Sequence, residues 1–170
     1  MALMPLRSVH RKLESAAFND AGLNMTAAPE MRDLAHRLIE YEAGAGKASE
    51  PMDASVLRVY EELRQSLGEF VGCAGFQSLA SRALTLARPE APSLNAVRVA
   101  ADGTIHGLGE METQFEIEKN QADDEGIILI ARLLGLLCIF LGEALTLSLL
   151  RNAWPGEVLE DCNLVHGRKA

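Results

Sequence analysis

Arg132, Glu143 and Thr146 are among the few polar residues in the most apolar stretch of this chain. An ionisable group in such surroundings is where chemistry is first sought. Glu143, shielded from water, would hold a raised pKa suited to general acid or base work. The one further reactive group within helical reach is the Thr146 hydroxyl, which favours a structural ion pair over catalysis. Asp33-x-x-His36 with Glu40 puts three ligand types on one helical face. A ferritin-like di-metal site would need a second such motif and two more acids, and no second motif exists. A solvated polar face opposite Leu34 and Leu38 is expected instead, with no metal. Gly44-Ala-Gly-Lys47-Ala-Ser49 echoes a phosphate loop, but Tyr41 stands where the leading glycine belongs and Ala48 where Ser or Thr belongs. Gly107 and Gly109 beside His106 could offer backbone N–H groups to an anion, yet the acids that follow would repel it. Cys73 and Cys138 sit in apolar helical pattern and should behave as small hydrophobes, poor nucleophiles when buried. No catalytic residue and no cofactor site is expected, and no motif assigns an activity.

The elements that must position these residues belong to a chain of 170 residues, enough for one domain with a core of its own. Formal charge is −8, and the excess acid lies mostly in the second half. Nucleic acid is excluded as a direct partner, because backbone binding needs clustered Lys and Arg. The three cysteines form no CxxC, which fits a reduced, cytoplasmic setting. No apolar run follows the basic N-terminal residues, so a secretory signal is not expected.

Residues 1–28 read as a flexible N-terminal arm. Leu3, Leu6, Val9 and Leu13 have helical spacing there, with Arg7, Arg11 and Lys12 interleaved. Thr26 could cap the next helix and Pro29 suits its first turn. Met31, Leu34, Leu38 and Ile39 give a helix over 29–43, ended by Gly44 and Gly46. From Pro51, the stripe Val56, Tyr60, Leu63, Leu67, Phe70 and Ala74 gives a second helix. A further stripe, Phe76, Leu79, Ala83 and Leu86, reaches Arg88-Pro89. The phase shifts near Gly72 and Gly75, so 51–88 is either one bent helix or two. Gly68 and Gly72 form a GxxxG step that would admit a close neighbour. Residues 96–106, with Asp102-Gly103 as the turn, form a hairpin-like insertion. The stretch 110–125 is acidic, and Leu108, Met111, Phe115 and Ile117 allow a short amphipathic helix in it. A helix over 127–152 follows, stopped by Trp154-Pro155-Gly156; 157–170 is a polar tail. No internal repeat of useful length is visible.

The spacing therefore predicts an all-α fold. A small helical bundle, 29–156, surrounds a buried central C-terminal helix and carries a short hairpin. The run 127–150 is long enough for a membrane span, but Arg132 and Glu143 inside it would each cost about 2.5–3.5 kcal/mol near the bilayer centre. Burial in protein is expected, with membrane unlikely. On a continuous helix Arg132, Gly135, Gly142, Glu143 and Thr146 share one narrow side. Arg132 and Glu143 are about 16 Å apart along it. A two-fold axis near residue 137 would place Arg132 of one copy beside Glu143 of another, twice, with the glycines admitting close approach. The alternative is pairing within one chain, Glu143 with Arg58, Arg64 or Arg82. The functional expectation is a non-enzymatic cytoplasmic protein acting through protein–protein contacts, self-associating as a homodimer through 127–152, with a further, unidentified protein partner also allowed. The alternatives are a ligand-binding or enzymatic site at Arg132, Glu143 and Thr146, and a single-span membrane protein.

Overall fold

A computed structural model describes residues 28–46, 52–108 and 119–156. The chain is all-α with one short hairpin: α1 (Pro29–Ala45), α2 (Met52–Ala87), a 3-10 turn (Pro92–Asn95), β1 (Arg98–Val99), β2 (Ile105–His106), α3 (Lys119–Leu141) and α4 (Glu143–Ala153). The arm at 1–27, the expected cap Thr26, the loop residues Lys47–Ser49, most of the acidic stretch and the tail at 157–170 lie outside the described residues. Ala28 takes the N-cap position of α1 without a side-chain hydrogen bond, and Pro29 occupies its first turn. Gly44 does not end α1; the helix runs to Ala45 and stops at the extended Gly46.

The hairpin forms where the turn signal placed it. Arg98 pairs with His106 and Val99 with Ile105, antiparallel. The Asp102 carboxylate accepts from the Thr104 amide (2.9 Å) and hydroxyl (2.7 Å), closing the turn. The Thr104 hydroxyl, and then its amide, hold the Asp102 carboxyl below its ordinary pKa. Gly103 has φ +82°, which L-residues avoid. Two strands alone are marginal, and here the floor is α2. Tyr60 donates to the Gly103 carbonyl at 2.7 Å and meets Phe76 edge-on at 5.6 Å. Burial, and then Glu61, push the Tyr60 phenol well above its ordinary range, so it stays a donor.

One core holds the molecule together. Leu34, Leu38 and Ile39 of α1, Val59, Leu63 and Leu67 of α2, and Leu129, Leu133 and Leu137 of α3 are all buried in it. The first half of α2 and α3 run the same way. Val56 faces Gly126 at one end, and Leu63, Leu67 and Leu137 line one narrow cleft toward the other. At Gly126 the helices touch so closely that a Cβ would come 2.5 Å from Val56 Cγ2. The GxxxG step does not have this role, since a Cβ at Gly68 or Gly72 would meet nothing within 4 Å. α3 begins at Lys119, so the acidic residues just before Ile127 form its first turns.

Both long apolar stretches break at a glycine. Gly72 has φ 71° and ψ 163°, dividing α2 into two helical halves. Gly142 has φ 83° and ψ 154° and ends α3. The expected continuous helix over 127–152 is therefore two helices. The physical reason is burial. After the break α4 folds back to bury Thr146, Leu147, Leu149 and Leu150, and with them Trp154. A straight helix would carry those side chains into water at about 1.5–3 kcal/mol for each large one. The central helix is accordingly buried only over Ile128–Leu137; Ile139 and Phe140 are exposed.

The breaks reveal an internal repeat that the sequence did not show. The offset from Gly72 to Gly142 also relates Leu63 to Leu133, Leu67 to Leu137, Phe70 to Phe140, Ala74 to Ala144 and Leu79 to Leu149. Equivalent residues share environments: the leucines are buried in both copies, and the Phe, Gly and Ala residues are exposed in both. The unit is a helix, a left-handed glycine and a returning helix, used twice.

Candidate functional site

The five residues expected to share a seam do not share one. The break at Gly142 divides them between α3 and α4, which point in different directions, and each has its own contacts. Arg132 is bound by Glu90, which follows the C-terminus of α2. The same carboxylate binds Arg32 of α1 through its other oxygen. Glu90 thus joins three parts of the fold. Its side chain is 13 % exposed and that of Arg132 10 %, whereas Arg32 is 37 % exposed. Arg132 therefore pairs with Glu90 of its own chain, the intrachain arrangement of the two that the sequence allows, with a partner it did not name. Charge pattern on one helix could not reveal this, because Glu90 lies in a turn behind Pro89, remote in sequence from both arginines.

Gly135 faces Met31 of α1, 3.9 Å from where its Cβ would stand, so that glycine is covered from within the chain. Gly142 is exposed, with nothing within 4 Å of a Cβ placed there. Thr146 is buried and donates to the Gly142 carbonyl at 2.9 Å, fastening the first turn of α4 to the break. Burial pushes the Cys138 thiol up, a hydrogen bond with Thr146 partly offsets this, and Glu143 adds to the rise. Cys138 is thus held as a neutral thiol. Glu143 lies in the first turn of α4, and one of its carboxylate oxygens, Oε1, is buried with no hydrogen-bond partner among the described residues. Arg58 instead reaches the Glu42 carbonyl and Arg64 reaches Glu61.

The other sequence candidates are dispersed. His36 contacts Glu40 at 3.3 Å on an exposed face of α1, and Asp33 is exposed. Among the described residues no three His, Cys, Asp or Glu side chains are grouped to hold a metal ion. His106 Nε2 lies 3.2 Å from the Thr104 hydroxyl at the hairpin surface. Cys73 is exposed, contrary to its apolar pattern, because the Gly72 break turns it outward. Among the described residues no helix is long and apolar enough to cross a membrane.

The end of the molecule at the two breaks is where the folding pattern and the surface disagree. Phe70 is 60 % exposed, Ile139 77 % and Phe140 68 %, and Leu145 is exposed beside them in sequence after Gly142. Phe70 and Ala74 had been expected in the core stripe of α2. The stripe ends at Leu67 because the chain turns at Gly72. No family model matches the chain, and it shows no match to curated proteins or to solved structures.

Proposed function

We propose that this protein is a non-enzymatic cytoplasmic interaction module, whose glycine-break end docks against the same end of a second copy. The observation that carries the reading is the exposure of Phe70, Ile139 and Phe140 at one end of the described fold. Taking about 200 Å² for a large side chain, these three expose roughly 400 Å². That is within the range of the largest apolar patch on a typical monomer, about 300–600 Å² and often functional. It is about half of the roughly 800 Å² per partner in a standard interface. The exposed Gly72, Ala74, Gly142 and Ala144 supply flanking surface without bulk, and the exposed Leu145 adds apolar area. The repeat gives the face two near-equivalent halves, Phe70-x-Gly72 and Phe140-x-Gly142, which suits an isologous contact. Free thiols at Cys73 and Cys138 support a reducing compartment. The dimer so formed differs from a seam along 127–152, since Arg132 and Gly135 are taken up inside the chain. Arg132, Glu143 and Thr146 do not converge on one pocket, and no observation favours a catalytic or ligand-binding reading of them.

The test is sedimentation equilibrium of the full chain at tens of micromolar. A reversible dimer is expected, and Ile139→Glu with Phe140→Glu should return it to monomer with its circular dichroism unchanged. A monomer throughout, or a dimer indifferent to both substitutions, overturns the proposal. A stable monomer that instead captures a different protein through the same residues would leave the face and replace the partner.

A further inference from the structure

We infer that residues 3–13 of this chain are an intramolecular ligand for the face at the glycine breaks, competing there with the second copy. The competition rests on the homotypic reading above; the docking does not.

The first argument is where the described chain begins. α1 runs antiparallel to α3. At its start Met31 faces Gly135, and Arg32 shares Glu90 with Arg132. At its far end Glu42 receives the Trp154 indole N–H (2.7 Å), and its carbonyl receives Arg58. The polypeptide therefore enters α1 at the level of Gly135–Ile139. Ile139 is one turn beyond Gly135 on the same side of α3. It is 77 % exposed because α1 has no residue left to lay over it. Ala28, the first described residue, therefore stands beside the uncovered continuation of the stripe that α1 covers.

The second argument is complementarity. Leu3, Leu6, Val9 and Leu13 recur at helical spacing, as an apolar occupant of Ile139, Phe140 and Phe70 requires. Arg7, Arg11 and Lys12 lie between them. The face is acidic at both halves. Glu69 is exposed beside Phe70, and Glu143 Oε1 is buried with no donor among the described residues. Such an oxygen is an unmet acceptor, and an arginine of the docked segment would supply its donor.

The third argument is reach. The fifteen-residue separation between Leu13 and Ala28 corresponds to about 20 Å for a coil of that length, enough to bring the segment back over the end of α3. Tethered ligands act at effective concentrations on the order of millimolar. A weak site is therefore filled in cis and opposes association in trans.

The experiment compares the full chain with its Leu6→Glu, Leu13→Glu double variant. Two readouts are taken: the dimer Kd by sedimentation, and amide hydrogen exchange over residues 138–146 at a dilution where both are monomeric. Exchange in the variant should be faster, and its dimer roughly 10- to 100-fold tighter. A synthetic peptide of residues 1–20 added to the variant should restore slow exchange and weaken its dimer. Arg7→Glu with Arg11→Glu should act in the same direction as the leucine changes. Equal exchange in the full chain and the variant overturns the inference, whether or not a dimer forms. Faster exchange in the variant without any dimer keeps the intramolecular docking and removes the homotypic reading and the competition with it.

Discussion

Removing the Glu90 carboxylate should be the most damaging single polar change in the molecule. The side chain binds Arg32 through one oxygen and Arg132 through the other. Glu90→Ala would remove this carboxylate from beside a guanidinium that is only 10 % exposed. Breaking a buried ion pair from one side costs about 3–5 kcal/mol. The Arg32 arm adds little to this, because a side chain 37 % exposed is largely screened by water, and such pairs contribute about 0–1 kcal/mol. The three substitutions should therefore rank unequally. Arg32→Ala should cost about 1 kcal/mol or less, Arg132→Ala about 3, and Glu90→Ala about 3–5. Glu90→Met with Arg132→Met should recover part of the loss, since apolar replacement of both partners avoids the uncompensated charge. Urea unfolding followed by circular dichroism reads all four, with the midpoint moving at constant slope. If Glu90→Ala falls within 0.5 kcal/mol of the parent, or Arg32→Ala costs as much as Arg132→Ala, the assignment of the charge network is wrong.

Gly126→Ala should destabilise by about 1–3 kcal/mol by overpacking against Val56, and Val56→Ala in the same chain should relieve most of it; urea midpoints test both. Gly142→Ala should cost about 1–3 kcal/mol, because φ 83° with ψ 154° is a region reserved to glycine, whereas Gly135→Ala should fall within about 1 kcal/mol of the parent. Trp154→Phe should cost about 1–2 kcal/mol by leaving the half-buried Glu42 hydrogen bond unmade, measured by thermal unfolding. Asp102 titrates below its ordinary value in the native state, so its turn interactions stabilise the fold above the unfolded pKa and are lost as pH falls through the depressed native one. Thr104→Val should move the carboxyl midpoint upward, as followed by NMR.

Much of the fold was legible because local rules and tertiary packing agreed. Pro29, the periodicity of Leu34, Leu38 and Ile39, and the Asp102-Gly103 turn all say locally what the structure does. The long apolar run misled for a definite reason. Periodicity reports which side chains are buried, but it does not report direction, and Leu147, Leu149 and Leu150 are equally buried on a straight helix in a dimer or on one folded back. In the sequence Gly142 offers a small residue for close contact, whereas its backbone freedom at positive φ is what the fold uses. Gly72 was ambiguous on the same ground, and the phase shift beside it was the usable signal. The repeat escaped because its matches are a few scattered leucines, a phenylalanine and an alanine; only the shared glycine conformation and the matching burial show it. Of the candidate site, a charge such as Arg132 in an apolar run implies a counter-charge, and Glu90 supplies one. Its partner, in a turn after another helix, was beyond any pattern confined to one element.

The most direct test of the homotypic face is a photo-crosslinking residue at position 140 of the full chain, in a mixture of isotopically light and heavy protein. Light-to-heavy products joining position 140 to residues 69–75 or 139–145 are the expected result. Adducts only within single chains, or intermolecular adducts spread over the exposed faces of α1 and the hairpin, would contradict it.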